Sequence, residues 1–259
     1  MINVYKLQNK DAMFTFFEVG GKVRDELIGL NSKDIDYVVV PDMEYVRMKL
    51  LDKGIDTVYR MLIAYLEIEG YTIFLQTPKM FTVRAKFPIG HKYEGITADF
   101  VLARKEVGYK EGTREPIVVP GSLFDDLQRR DFTVNAIAKS ENGDIIDFYD
   151  GVRDLKEKIL RTPISGNITF DDDPLRLLRA IRFHITKGFK IDEPIKDYIT
   201  NFDYRNKFQA VSEERIREEL YKCFHHDTLL TLKVLNNFSN LRDYIFTETY
   251  LWLKPTNEQ

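Results

Sequence analysis

Apolar residues in the first half of the chain fall in short runs bounded by glycine, proline and charged residues, and beyond Pro163 they recur at helical spacing. Phe14–Val19 reads as a strand that runs into Gly20-Gly21, and residues 22–28 suit one or two helical turns stopped at Gly29. Residues 35–40 are β-branched or aromatic after Asp36 and predict a buried strand that leaves the sheet at Pro41. Asp42 then suits the N-cap of a helix with Met43, Val46, Leu50 and Leu51 on its inner stripe. Residues 55–76 are apolar without a deciding period, so helix and strand both stay open there. Residues 81–87 and 96–102 predict two strands joined by Gly90-His91-Lys92-Tyr93-Glu94-Gly95, and residues 104–116, charged and glycine-containing, predict a mobile loop. Past Pro163 no further strand is predicted. The expectation is an α+β chain: a head with a mixed β-sheet over residues 1–148, followed by an all-helical part over 149–259.

At 259 residues and 44% hydrophobic, the chain is long enough for one large or two modest cores. Its 38 basic and 41 acidic residues give a net charge of −3, which excludes the uniformly basic surface of a bulk nucleic-acid binder. Positive charge is concentrated locally: residues 151–190 carry nine Lys/Arg against five Asp/Glu, whereas residues 211–259 carry six against eight. One cysteine, Cys223, excludes an internal disulfide and a cysteine-rich zinc site. No apolar run is long enough to span a bilayer and no basic-then-apolar leader opens the chain, so a cytoplasmic protein is expected.

Candidate chemistry begins with Asp34 and Asp36. Residues two apart on a strand project from one face, and two carboxylates held there repel unless a cation lies between them. Oxygen-only ligands favour a hard divalent ion such as Mg²⁺. Upstream, Gly20-Gly21 opens a short helix with backbone N–H groups turned toward an anion. A phosphate-grasping turn followed by a metal-holding carboxylate pair points to phosphoryl or nucleotidyl transfer. Asp99, central in another apolar strand, has two readings: a third ligand or a base for an attacking hydroxyl, or a carboxylate satisfied by Arg84 or Arg104.

Two further groups follow. In Arg129-Arg130-Asp131-Phe132-Thr133-Val134-Asn135-Ala136, the arginines suit phosphate oxygens, Asp131 a sugar hydroxyl, and Asn135 offers both donor and acceptor. In Asp171-Asp172-Asp173-Pro174-Leu175-Arg176-Leu177-Leu178-Arg179, Asp173 suits an N-cap and Pro174 the first helical position. Asp173 and Arg176 stand three apart at the helix start, an acceptor beside a forked donor that suits the edge of a base. A plain cap with an i,i+3 ion pair is the alternative. His184 and the adjacent His225-His226 read as packing or surface residues rather than metal ligands.

In order, these segments resemble the class II tRNA nucleotidyltransferase and bacterial poly(A) polymerase family. Gly20 to Asp25 with Asp34-Ile35-Asp36 is similar to its first motif, Arg129 to Ala136 to its second, and Asp147 to Arg161 to its third. Asp172 to Arg179 is similar to the fourth, although Asp172 stands where the family has glutamate, and Val211 to Leu220 to the fifth. Residues 55–79 depart from the family's spacing and read as an insertion.

The resemblance implies a head of nucleotidyltransferase fold followed by a helical neck. It implies that Asp34 and Asp36 hold two Mg²⁺ ions, that Gly20, Gly21 and Arg24 lie around the triphosphate, and that Arg130, Asp131 and Asn135 bind phosphates and ribose. It further implies that Asp173 and Arg176 pair with the incoming base, selecting CTP or ATP, while Arg179 supports the phosphates. The implied activity is template-independent addition or repair of the 3′-terminal CCA of tRNA. Addition of A alone to other RNA 3′ ends is the alternative, and a non-catalytic RNA-binding role on the same scaffold is the second. About forty residues follow the fifth motif, so a homodimer mate or a partner subunit is expected to supply the remaining grip on tRNA.

Overall fold

The computed structural model describes residues 13–32, 34–42, 54–109 and 116–248. The helix expected after Asp42 falls at positions outside the described residues. The chain divides into two compact units: described residues up to 130 together with 134–152 form the first, and 131–133 with the described residues from 153 onward form the second.

The first unit is built on seven strands: β1 (Phe14–Val19), β2 (Ile35–Pro41), β3 (Thr72–Thr77), β4 (Thr82–Lys86), β5 (Thr97–Leu102), β8 (Ile137–Ser140) and β9 (Ile145–Asp147). Their order across the sheet is β3-β4-β5-β2-β1-β8-β9, with β2 and β5 parallel and the other neighbours antiparallel. Helix α1 (Gly21–Leu27) follows β1, and α2 (Ile55–Ile68) precedes β3. The undecided stretch thus resolves into a helix and then a strand.

Period two sorts the core. Ile35, Tyr37 and Val39 join Phe100, Leu62 and Leu66 on one face. Val38 and Val40 join Phe17, Val19, Leu123 and Leu127 on the other. The second face is capped by α3 (Leu123–Gln128), whose start is fixed by a capping box: Ser122 accepts from the Asp125 amide and Asp125 from that of Ser122.

The loop expected over 104–116 is not one throughout. β6 (Arg104–Tyr109) and β7 (Pro116–Pro120) form an antiparallel pair with Arg104 opposite Pro120. A two-stranded ribbon satisfies its backbone within itself and needs no buried face, so its charged composition gave no strand signal. Its closure requires Gly121: a Cβ there would lie 2.6 Å from the Arg104 carbonyl carbon.

The chain enters the second unit through α4 (Gly151–Glu157), followed by α5 (Gly166–Asp172), α6 (Leu175–Lys187), α7 (Glu193–Asn201) and α8 (Tyr204–Lys207). α9 (Glu213–His226), α10 (Thr228–Asn237) and α11 (Ser239–Asp243) complete it. As expected, Leu177, Leu178, Ile181 and Ile185 are buried on α6. Two expectations are corrected. Pro174 is the N-cap of α6 rather than its first helical residue. The unit also holds a short parallel ribbon, β10 (Ile159–Leu160) with β11 (Lys190–Ile191), so it is not helical throughout. Gly188, at φ +70°, ends α6 and sends the chain back extended, where Lys190 N–H donates to the Lys158 carbonyl at 2.7 Å.

Candidate active site

The register of β1 on β2 brings the two earliest motifs together. Val19 stands opposite Asp36, so the chain turns at Gly20 directly beside that carboxylate. Gly20 has φ +73°, the left-handed region that favours glycine. A Cβ on Gly20 would lie 3.3 Å from Arg130 Nη1 and 3.5 Å from Asp36 Oδ2, so its absence leaves open the space between an arginine and a carboxylate. Asp34 is exposed just before β2, and Asp36 is half-buried within it.

Burial raises the Asp36 carboxyl pKa above its ordinary value. Arg130 pulls it down, Asp99 and Asp34 push it up, and Arg84 pulls it down again. Among the described residues, neither Asp34 nor Asp36 makes an ion pair. Asp99 is the register partner of Asp36 on β5 and of Arg84 on β4. It accepts from Arg84 Nε at 2.7 Å and from Nη2 at 2.6 Å, the arrangement of its second reading.

Arg130 is positioned by a residue that the sequence reading missed. Asp126, fully buried on α3, accepts from Arg129 Nη2 at 2.6 Å and from Arg130 Nη2 at 3.1 Å. Burial alone would raise its pKa, but the two arginines hold it below the ordinary carboxylate range. Its spacing of three and four residues before Arg129 and Arg130 was a usable signal. Arg24 is buried; it donates to Asn135 Oδ1 at 2.6 Å and, through Nε, to Asp25 at 2.8 Å. Gly21 opens α1.

In the second unit, Asp131 is buried and accepts from Arg179 Nε at 2.9 Å and Nη2 at 2.6 Å, while its other oxygen accepts from the Phe132 amide. Burial works against the Arg179 charge, but Asp131 and Glu219 raise its pKa overall. Thr133 donates to the buried Asp154 at 2.7 Å, and its amide to the Arg161 carbonyl, which ties residues 131–133 into this unit. Asp173 accepts from the Leu175 amide at 3.3 Å and from Arg215 Nη2 at 2.9 Å. Arg176 donates to the Thr169 carbonyl at 3.1 Å. Arg215 lies in the fifth motif, which the sequence reading treated as scaffold because Ser212 caps α9. His184 Nδ1 lies 2.7 Å from the Phe189 carbonyl, a packing contact.

The residues around Asp36 fit a divalent cation. The donors are oxygens only, and burial, with Asp99 and Asp34, raises the Asp36 pKa in spite of Arg130. Among the described residues no three His, Cys, Asp or Glu side chains gather as a closed ligand cage. An open pair suits Mg²⁺, which is commonly held by one or two carboxylates together with substrate phosphates and water.

Residues 16–161 match the poly A polymerase head domain family. A CCA-adding enzyme of Lactobacillus helveticus is 33% identical over 214 residues, 82% of this chain and 47% of that protein. The crystal structure of a tRNA nucleotidyltransferase complexed with a primer tRNA and an incoming ATP analog superposes with a TM-score of 0.64 at 28% identity, covering 90% of this chain and 60% of that one. The Bacillus stearothermophilus CCA-adding enzyme in complex with CTP superposes with a TM-score of 0.58 at 29% identity, covering 83% and 45%. The chain spans about half the length of the curated relatives it matches. No helix among the described residues is long and apolar enough to cross a membrane.

Proposed function

Because this chain belongs to the poly A polymerase head domain family, we propose that it is a cytoplasmic, template-independent RNA nucleotidyltransferase that adds or repairs the 3′-terminal CCA of tRNA with CTP and ATP. The observation that carries the reading is the register of β1 on β2, which sets the Gly20 turn beside the Asp36 carboxylate and leaves the space between it and Arg130 free of a side chain. Asp34 and Asp36 hold Mg²⁺, which when bound supplies charge for the triphosphate and lowers the pKa of a hydroxyl nucleophile.

The protein's own groups bind and orient. Gly20 and Gly21 let a phosphate approach the backbone without a side chain in the way. Arg130, held by Asp126, presents a fixed positive charge next to Asp36 and offers donors to phosphate oxygens. Arg24 fixes the side-chain oxygen of Asn135, so the Asn135 amide is oriented to donate. Asp131, its carboxylate gripped by Arg179, meets the sugar. Asp173 and Arg176 read the base edge, and Arg215 restrains Asp173. Asp99 is the remaining candidate for a ligand or base, and such a role requires it to leave Arg84. The work is electrostatic and positional, so losing either Asp34 or Asp36 removes most of the rate.

The test is incorporation of each labelled nucleotide into tRNA lacking its terminal CCA, by the unmutated chain and by Asp34→Ala. C before A, lost in the variant, is the expected result. A alone, on many RNAs, identifies an A-adding polymerase instead. Incorporation by Asp34→Ala close to the unmutated rate refutes the mechanism, and none by either protein leaves the non-catalytic scaffold.

A further inference from the structure

A cavity lies on the sheet face of the first unit opposite to the one Asp36 occupies. One row of side chains crosses four strands there: Phe100 on β5, Tyr37 on β2, Glu18 on β1 and Lys139 on β8. The row floors a cavity of about 380 Å³, within the range of small-molecule sites, roughly 300–1,000 Å³. Phe16, Tyr65, Tyr71 and Phe87 also line it, and His91 stacks on Phe87 at 4.4 Å.

The charges in this cavity are unevenly met. Glu18 is only 4% exposed; its Oε1 accepts from the Tyr37 and Tyr93 hydroxyls, and its Oε2 has no hydrogen bond. Its charge is more than met, because Lys22, Lys92 and Lys139 lie 3.6, 3.5 and 3.7 Å away. Lys139 is balanced in turn by Glu26 at 2.7 Å. Glu69 and Glu141 also line the cavity, and among the described residues neither has an ion pair or a hydrogen bond to its side chain. Burial raises the Tyr71 hydroxyl pKa to about 12, with Tyr65, Glu141 and Glu69 adding to it. Burial and then Glu69 and Glu141 raise that of Tyr65. Tyr65 on α2 and Glu69 at its C-terminal cap are four residues apart, and the Tyr65 ring stacks on that of Phe16 with centroids 5.8 Å apart, so a carboxylate and two aromatic rings meet along the cavity wall.

We propose that this cavity binds a small alkylammonium ion, with Tyr65, Tyr71 and Phe16 as its aromatic walls and Glu69 and Glu141 as its counter-charges. Aromatic faces attract such cations, and most strongly where water is excluded. A neutral heterocycle would use the rings alone, whereas a cation also draws on the two exposed carboxylates; of the lysines that line the cavity, Lys92 is engaged by Glu18 and Lys139 by Glu18 and Glu26, which leaves less for an anion. The site stands on residues other than those of the proposed reaction, so the failure of either reading leaves the other intact.

The test is calorimetric titration of the full chain, in EDTA and without nucleotide, with choline, tetramethylammonium and putrescine in turn. Choline and tetramethylammonium need only the aromatic walls, whereas putrescine also donates hydrogen bonds to the carboxylates. Saturable binding of at least one is expected, weakened about threefold or more by Glu141→Gln and again by Tyr71→Ala, and unchanged by Asp36→Asn. Glu141 is exposed, so its variant keeps the fold even if Tyr71→Ala does not. Glu67→Gln removes an exposed charge outside the cavity and is expected to have no effect. Three results would overturn the proposal: no saturable binding of any of the three ions, an equal loss in Glu67→Gln, or binding of adenosine in preference to the cations.

Discussion

Replacing Asp126 with asparagine leaves two arginines facing a buried amide. Asp126 is fully buried and receives Arg129 Nε at 3.1 Å, Arg129 Nη2 at 2.6 Å and Arg130 Nη2 at 3.1 Å. Removing one partner of a buried ion pair costs about 3–5 kcal/mol. The Arg129 and Arg130 side chains keep 32% and 21% of their exposure, so water recovers part of their solvation and the lower end applies, about 3 kcal/mol. For a chain of this size each kcal/mol lowers Tm by about 2–4 °C, so a fall of about 6–12 °C is expected in a circular-dichroism melt at neutral pH. Because the folded-state pKa of Asp126 is depressed, its contribution is present above the ordinary carboxylate range and is lost as pH falls through the depressed value. The variant should therefore lose part of the acid sensitivity of the unmutated chain as well as its Tm. The apparent KM for nucleotide should rise, since Arg130 loses its anchor. A fall in Tm below about 2 °C, equivalent to under about 1 kcal/mol, would show that the guanidiniums are satisfied by solvent and that Asp126 organises nothing.

Asp36→Asn should raise Tm in EDTA while reducing nucleotide incorporation to background. A carboxyl with a raised folded-state pKa works against folding above its unfolded value, and the amide removes that penalty. A lowered Tm in EDTA would mean that the charge is already compensated. Gly20→Ala forces a side chain into φ +73° and ψ −137° at about 1–3 kcal/mol and places a methyl 3.3 Å from Arg130 Nη1, so KM for nucleotide should rise and Tm fall by several degrees. An unchanged KM would remove the Gly20 turn from the binding site.

What the sequence made legible follows from what each signal depends on. β1 and β2 were readable because their apolar and β-branched residues report burial and end at Gly20 and Pro41, and the pairing of Val19 with Asp36 then placed the Gly20 turn. Residues 55–76 were not readable because α2 and β3 signal differently. On α2 the buried Ile55, Val58, Tyr59, Leu62 and Leu66 keep helical spacing. On β3, an edge strand, Phe74 and Leu75 are 56% and 49% exposed, so their hydrophobicity does not report a core. The β6–β7 ribbon was missed because its closure depends on the approach of Gly121 to Arg104, a contact with no periodic trace.

The same limit separates Asp36 from Asp99. Both are acidic residues in apolar strands, and the register sets them side by side across β2 and β5. Sequence alone favoured a metal site for Asp36 and left Asp99 between two readings, because a carboxylate's chemistry is decided by which cation reaches it. Arg84, one strand further along, takes Asp99 with both donors of its fork. Arg130, which approaches Asp36, is itself held by Asp126 on the helix behind it. Burial therefore raises the Asp36 pKa in spite of Arg130, and Gly20 withholds the side chain that would fill the space between the two. The distinction between the two aspartates comes from how β4 and α3 distribute three arginines. A substitution that frees Arg84, such as Asp99→Asn, should accordingly lower the Asp36 pKa toward its ordinary value, and an NMR titration of the Asp36 carboxyl that showed no such fall would break this account.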